Sequence, residues 1–122
     1  MKWAFSCAIL MVLATLPARA IDTAMLRGKG ATTCALFDQD YKKNVAIEAE
    51  YYTWAQGYMS GLNAIAHAVL HPTKDLAASS YQTQEAAIRD YCATNPLDDY
   101  TTAVTHIWTS FPTVPYQKND RP

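Results

Sequence analysis

Three histidines are the side chains whose type and spacing best fit a metal site. His67 and His71 stand four residues apart, so on a helix both would point to one side, and His106 is a third candidate ligand. The chain has neither an H-E-x-x-H pattern nor an acidic residue at a fixed spacing from this pair. A surface position near a helix C-terminus, where imidazolium is favoured, is the simpler explanation of the pair His67 and His71. We predict no metal and no other cofactor.

Paired carboxylates and a serine between glycines are the other candidates for catalysis. Sequence neighbours on a helix point about 100° apart, which disfavours a catalytic dyad at either aspartate pair. Ser60 lies one position too late for a G-x-S-x-G nucleophile elbow. We therefore predict that the protein is not an enzyme. The aspartate pairs considered are Asp38 with Asp40 and Asp98 with Asp99.

Residues 1–20 have the features of a secretory signal peptide. Lys2 precedes an apolar run from Trp3 to Leu16, and Ala18 and Ala20 form an A-x-A cleavage site. The run is shorter than the roughly 20 residues that a membrane-spanning helix needs. We predict cleavage after Ala20, export to the periplasm and no membrane attachment afterwards. An uncleaved anchor is the alternative, but a stop-transfer pattern is missing.

Cys34 and Cys92 are the cysteines that remain after this cleavage, because Cys7 leaves with the signal peptide. Two cysteines in a short exported chain are most simply explained by one disulfide, since the compartment is oxidising. Such a bond would close a loop of about 59 residues and stabilise the fold by about 4 kcal/mol. Two unpaired buried thiols are the alternative.

The mature chain has about 100 residues, which is enough for one small domain with one core. Its net charge is about −3, and it contains no run rich in lysine and arginine. This composition gives no support for nucleic-acid binding.

Helical patterns separated by turn signals predict an all-α fold, a small single-domain bundle of about four helices closed by one disulfide. Thr32 or Thr33 can cap a first helix that ends at Asn44, and Ser79 or Ser80 can cap the third. The fourth is predicted to start at Asn95-Pro96, with Leu97 on its buried face. The predicted domain boundaries are 1–20 for the signal peptide, 21–31 for a flexible N-terminal segment, 32–111 for the helical domain and 112–122 for a flexible tail.

The second helix, predicted from Val45 to about Leu70, is apolar on two sides and should be covered on both. Gly57, Ser60 and Gly61 remove side-chain bulk from successive turns, and each glycine costs about 1 kcal/mol in helix propensity. Close approach of a partner helix or a partner subunit would offset this cost.

Three motifs in this order resemble the HdeA/HdeB family of acid-stress chaperones. They are Thr33–Phe37 before the central helix, Gly57–Asn63 within it, and Ile88–Pro96 after it. The resemblance covers about residues 32–111. It implies a periplasmic all-helical dimer that loosens on acidification and exposes apolar surface to unfolding proteins, with Cys34 and Cys92 as its disulfide.

The same resemblance places the family's central glycine motif at Gly57, Gly61 and Asn63. From their position on that helix we predict that four further residues contribute to a client-binding or dimer surface: Trp54, Tyr58, Met59 and Leu62.

Protonation of the carboxylates and histidines would bring the mature chain to a net charge of about +12, and that self-repulsion favours expansion. The function that the HdeA/HdeB resemblance implies is that of an acid-responsive, ATP-independent holdase chaperone, and this charge change is compatible with it. A cysteine before the central helix, Cys34, the helix motif Gly57-Tyr58-Met59-Ser60-Gly61 and a later cysteine, Cys92, also resemble features of the Rap1a/Tai family of immunity proteins, which neutralise secreted cell-wall amidases. The HdeA/HdeB resemblance implies that the partners are unfolded periplasmic proteins, whereas the Rap1a/Tai resemblance implies one specific exported partner.

Overall fold

The computed structural model describes residues 25–117. The predicted signal peptide and its cleavage site after Ala20 lie outside the described residues, as do positions 21–24 and 118–122.

Four helices make up most of the described chain. They are α1 (Cys34–Lys43), α2 (Val45–Ala68), α3 (Tyr81–Thr94) and α4 (Tyr100–Ser110), and a 3-10 turn (Gly28–Ala31) precedes them. Two short strands, β1 (Thr73–Lys74) and β2 (Thr113–Val114), pair antiparallel with Thr73 opposite Val114 and Lys74 opposite Thr113. The prediction of a small all-α domain with about four helices and one disulfide is confirmed.

Short polar side chains begin three of the helices at the positions that the sequence suggests. The Thr33 hydroxyl accepts a hydrogen bond from Leu36 N at 3.3 Å, and the Ser80 hydroxyl accepts one from Thr83 N at 3.2 Å. Asn44 ends α1 and begins α2, because its extended backbone breaks the helix while its side chain accepts from Ala46 N at 3.0 Å. Each cap satisfies an amide that has no partner inside its own helix.

The predicted start of the last helix at Pro96 is wrong, because α4 begins four residues later at Tyr100. The carbonyls of Pro96 and Asp98 accept hydrogen bonds from Ala35 N at 2.9 Å and Cys34 N at 2.8 Å. These carbonyls complete the first turn of α1 instead of starting a helix of their own. Leu97, predicted to be buried, is 90% exposed on this turn.

Aromatic rings and the disulfide form the centre of the core. The ring of Phe37 lies 4.9 Å from those of Tyr51 and Tyr100, which are themselves 5.0 Å apart, all between ring centroids. The Cys34–Cys92 disulfide joins α1 to α3, and both cysteines are buried. All four helices therefore meet around one cluster, and the disulfide lies within it.

Both segments predicted to be flexible carry regular structure where they adjoin the domain. Gly30 is buried in the 3-10 turn, and its carbonyl accepts a 2.7 Å hydrogen bond from the Thr101 hydroxyl of α4. At the other end, Thr113 and Val114 form β2. The helical domain therefore includes residues on each side of the predicted 32–111 range.

Candidate functional site

The predicted binding surface lies on α2, and the structure divides its seven residues among three environments. Met59 is fully buried. Trp54, Tyr58, Leu62 and Asn63 are partly buried, whereas Gly57 and Gly61 are exposed. Met59 alone among the seven has no surface in the closed domain.

Met59 belongs to the core. It has 0% exposure and lies in the cluster that contains the disulfide and the central aromatic rings. It can reach another protein only when the domain opens.

Asn63 holds β1 against α2. Its Nδ2 donates to the Lys74 carbonyl at 2.7 Å, and its Oδ1 accepts from Lys74 N at 3.0 Å. The same Oδ1 accepts from the Trp108 indole at 3.1 Å. Asn63 therefore pairs with Lys74 as a neighbouring strand residue would, and it joins three elements.

The two glycines of the central motif face open space. A Cβ atom added at Gly57 or Gly61 would meet nothing within 4 Å among residues 25–117. The predicted close approach of another helix of the same chain is therefore absent from this part of the protein.

Trp54 and Tyr58 form an aromatic pair next to these glycines. Their rings are stacked, with centroids 5.2 Å apart and planes at 12°, and the Tyr58 hydroxyl lies 3.3 Å from the Thr105 hydroxyl. The 3-10 turn covers the indole so closely that a Cβ at Gly30 would overlap the ring. The aromatic pair thus presents only part of its surface.

Carboxylates connect separate elements of the fold, which sequence reasoning missed. Asp40 of α1 accepts a 2.8 Å hydrogen bond from the Tyr51 hydroxyl of α2, and Glu48 of α2 is bonded to Arg89 of α3. The Glu48 side chain is only 13% exposed, so this ion pair is partly removed from water. The partners lie 11 and 41 residues apart in sequence, and no local sequence pattern predicts either pair.

Two further carboxylates make the same kind of connection at the edges of the domain. Asp98, in the turn before α4, accepts a 2.7 Å hydrogen bond from the Tyr91 hydroxyl of α3, and this bond raises the pKa of Tyr91. Glu50 of α2 lies 3.3 Å from the ammonium of Lys29 in the 3-10 turn. That ammonium also lies 4.4 Å above the Tyr51 ring.

Several tyrosines and one aspartate have perturbed pKa values. Burial raises the pKa of Tyr51 and of Tyr52 to about 12, and it also raises that of Tyr100. The Asp38 carboxylate accepts a 2.6 Å hydrogen bond from the Lys42 ammonium, which lowers the pKa of Asp38. Asp38 and Lys42 both belong to α1, so this pair does not connect elements.

The histidines pack against tyrosines. The His67 ring is 5.5 Å from that of Tyr116, and the His106 ring is 4.8 Å from that of Tyr91, between centroids. His106 and Tyr91 line a groove of about 350 Å³ whose remaining wall is mostly threonine side chains of α4. Within residues 25–117 no three histidine, cysteine, aspartate or glutamate side chains are grouped so that they could hold a metal ion.

The chain matches no protein-family model, and no curated protein or solved structure matches it. In the described part of the chain, no helix combines the length and the apolar character needed to cross a bilayer.

Proposed function

We propose that this protein is a periplasmic holdase that binds unfolding proteins when the compartment becomes acidic, without ATP and without catalysing a reaction. The observation that carries the proposal is the set of carboxylates that join separate elements. Asp40, Glu48, Glu50 and Asp98 link α1 to α2, α2 to α3, the 3-10 turn to α2, and α3 to the turn before α4.

Acid acts on each of these links through the charge of the carboxylate. A protonated carboxyl no longer attracts an ammonium or guanidinium and is a weaker acceptor for a tyrosine hydroxyl. The Glu48–Arg89 pair is the most consequential, because its loss leaves a partly buried guanidinium without a counter-charge. Loss of the four links loosens contacts between elements, while each helix retains its own backbone hydrogen bonds.

The net positive charge of the acidified chain adds a force for expansion, and the disulfide limits it. Cys34 and Cys92 stay joined when α1 and α3 separate, so the open chain remains tethered at the centre of its former core. Expansion of this kind exposes the aromatic cluster around Phe37 and the buried Met59. Such apolar surface binds the exposed apolar segments of an unfolding protein.

A client-aggregation assay tests the proposal. A fragile client acidified to about pH 2 to 3 and then neutralised should scatter less light when the exported protein is present in equimolar amount. Dye binding to exposed apolar surface and near-ultraviolet circular dichroism should show that this protein loosens over the same pH range. Full client aggregation despite such loosening would contradict the holdase function.

Matched double variants separate the carboxylate links from general charge. Asp40→Asn with Glu48→Gln replaces two of the linking carboxylates by neutral amides, which imitates their protonation, so the domain should loosen and hold clients at a higher pH than the wild type. Asp38→Asn with Glu85→Gln removes the same charge but leaves the four links in place, so its loosening should stay close to that of the wild type. Equal shifts in both variants would show that total charge, and not the links, sets the response.

A pull-down of periplasmic hydrolases with the tagged protein at neutral pH tests the immunity-protein alternative. If the tagged protein retains one hydrolase and inhibits it, the holdase proposal is replaced by that of a dedicated inhibitor.

A further inference from the structure

The disulfide borders a groove between α1 and the end of α3. The groove has a volume of about 310 Å³, and Cys92 is part of its wall whereas Cys34 is not. Cys34 has no exposed surface, and Cys92 is 2% exposed. A solute in the groove therefore approaches the disulfide from the Cys92 side.

The size and charge of this groove suit a small molecule. Its volume is at the lower end of the range of ligand pockets. The only charged residues in its wall are Asp38 and Lys42, and the Asp38 carboxylate accepts a 2.6 Å hydrogen bond from the Lys42 ammonium. The two charges offset each other, so the groove selects a solute by its size more than by its charge.

Helix ends make the two sulfurs chemically unequal. Cys34 is the first residue of α1, and Cys92 is the third residue from the end of α3. A helix N-terminus stabilises a negative charge and a helix C-terminus destabilises one, so a thiolate forms more readily at Cys34 than at Cys92. In thiol–disulfide exchange, the sulfur that forms the more stable thiolate leaves faster. Attack on Cys92 with release of Cys34 is therefore the favoured direction.

We propose that Cys92 is the site at which a small-molecule thiol attacks the disulfide. The thiolate sulfur of the small molecule forms a bond to Sγ of Cys92, and the bond between Cys92 and Cys34 breaks. The electron pair of the broken bond stays on Cys34, which leaves as a thiolate and takes a proton from water. The product is a mixed disulfide at Cys92, and the thiol itself is the only reductant that the step needs.

Backbone hydrogen bonds keep the released Cys34 close to this mixed disulfide. Cys34 N donates to the Asp98 carbonyl at 2.8 Å, and Ala35 N donates to the Pro96 carbonyl at 2.9 Å. These bonds join the first turn of α1 to the turn that follows α3, and they do not depend on the sulfurs. Cys34 can therefore attack Cys92 again and expel the small thiol, so the mixed disulfide persists only when Cys34 is blocked.

This inference goes beyond the holdase proposal, because thiol exchange at Cys92 requires only the disulfide and its groove. The outcome of a client-aggregation assay does not bear on it, and the outcome of the exchange experiment does not bear on the holdase proposal.

Chemical trapping identifies the sulfur that is attacked. The exported protein is exposed briefly to reduced glutathione at about pH 8, where part of this thiol is ionised, and excess iodoacetamide then alkylates the released cysteine. Peptide mass spectrometry should find glutathione on Cys92 with alkylated Cys34 at least about ten times more often than the reverse. Equal labelling, a preference for Cys34 or the absence of any mixed disulfide would overturn the inference.

The same chain in concentrated urea is the control for the role of the fold. Unfolding removes the groove and both helix ends, so glutathione should label the two cysteines nearly equally. A preference for Cys92 that persists in urea would show that the folded structure does not direct the attack, which would also overturn the inference.

A variant with a narrowed groove tests the path of the thiol. Ala93 is exposed and lines the groove, so Ala93→Phe should slow formation of the mixed disulfide at least about fivefold. Ala64→Phe is the matched control, because Ala64 is an exposed residue of α2 outside this groove, and it should leave the rate unchanged. Circular dichroism verifies that both variants are folded. Equal rates in the two variants, or a wild-type rate that does not rise with glutathione concentration, would contradict attack through the groove.

Discussion

At the scale of single residues, two glycines that look alike in the sequence have opposite surroundings. Gly30 lies under the Trp54 ring and against the Thr101 hydroxyl, whereas Gly57 faces open space. The first glycine is needed because two elements meet there. The second costs helix propensity and makes no close packing contact with the described residues 25–117.

Alanine substitutions at these positions should therefore act in opposite directions. Gly30→Ala should lower the free energy of unfolding by about 1 to 3 kcal/mol, because the added methyl group overlaps a packed ring. Gly57→Ala should raise it by about 0.5 to 1 kcal/mol, because alanine is the better helix former. Urea unfolding followed by circular dichroism measures both, and equal effects would mean that the 3-10 turn does not pack on Trp54.

Leu70 is another residue whose backbone matters more than its side chain. Its φ angle is +61°, in the left-handed region, and His71 N donates to the Ala66 carbonyl at 2.8 Å to close the end of α2. Glycine is the residue that this position of a helix end favours.

Leu70→Gly should consequently stabilise the domain by up to about 1 kcal/mol, because it relieves the left-handed strain and gives up a side chain that is already 54% exposed. Thermal unfolding tests this, with Val69→Gly as the neighbouring control. Val69 has an ordinary φ of −99°, so glycine there should lower the melting temperature. A decrease for both variants would refute the argument.

At the scale of elements, hydrogen bonds from side chains and from loop carbonyls hold the loops against the helices. The carbonyls before α4 cap α1, and the Gln84 amide donates to the carbonyls of Leu76 and Ser79 at 3.0 Å. The Lys74 ammonium lies 3.0 Å from the carbonyls of Thr109 and Phe111 at the end of α4. Long loops are thus attached to the helices at a few points.

Asn63 is the attachment point with the clearest energetic consequence. Asn63→Ala should cost about 2 to 3 kcal/mol, because it leaves the Lys74 backbone and the Trp108 indole without their partner. Thr53→Ala is the matched control on the same helix, since its exposed hydroxyl bonds only its own helix at Ala49, and it should change stability little. Denaturant titration would contradict this account if the two variants were equally stable.

At the scale of the whole molecule, the disulfide and three buried tyrosines contribute to the stability of the domain. The disulfide joins residues 58 positions apart, so it constrains the unfolded chain strongly. Tyr51, Tyr52 and Tyr100 are buried, and burial raises the pKa of each.

Removal of the disulfide should cost about 4 kcal/mol at neutral pH. The Cys34→Ser, Cys92→Ser variant should also expand more in acid than the wild type, because nothing then tethers α1 to α3. Unfolding experiments and small-angle scattering at low pH measure these effects. If the variant and the wild type have the same radius in acid, the disulfide does not limit the expansion.

Alkaline unfolding follows from the tyrosines. The unfolded tyrosines have a pKa near 10, below the value of about 12 for Tyr51 and Tyr52 in the fold, so the folded state binds these protons more tightly. Their contribution to stability is complete below about pH 10 and is lost as the pH rises through about 12. Tyrosinate absorbance and circular dichroism should therefore change together in this range. Ionisation of every tyrosine near pH 10 in a domain that stays folded would contradict this.

The sequence by itself determined the number of helices and where three of them begin, because caps and apolar spacing act over a few residues. Thr33, Asn44 and Ser80 begin helices where their side chains reach a nearby amide, and the two described cysteines pair as their number predicted. The helix start predicted at Asn95-Pro96 is wrong, because the carbonyls of that turn accept hydrogen bonds from amides of α1, about 60 residues earlier in the chain.

Only the tertiary structure decided the surroundings of the α2 residues and the existence of the carboxylate links. Periodicity shows that Met59 and Asn63 lie on one side of the helix and Gly61 on another, but which sides are covered depends on elements distant in sequence. The Glu48–Arg89 and Asp40–Tyr51 pairs exist for the same reason, since folding brings together side chains that no local pattern connects.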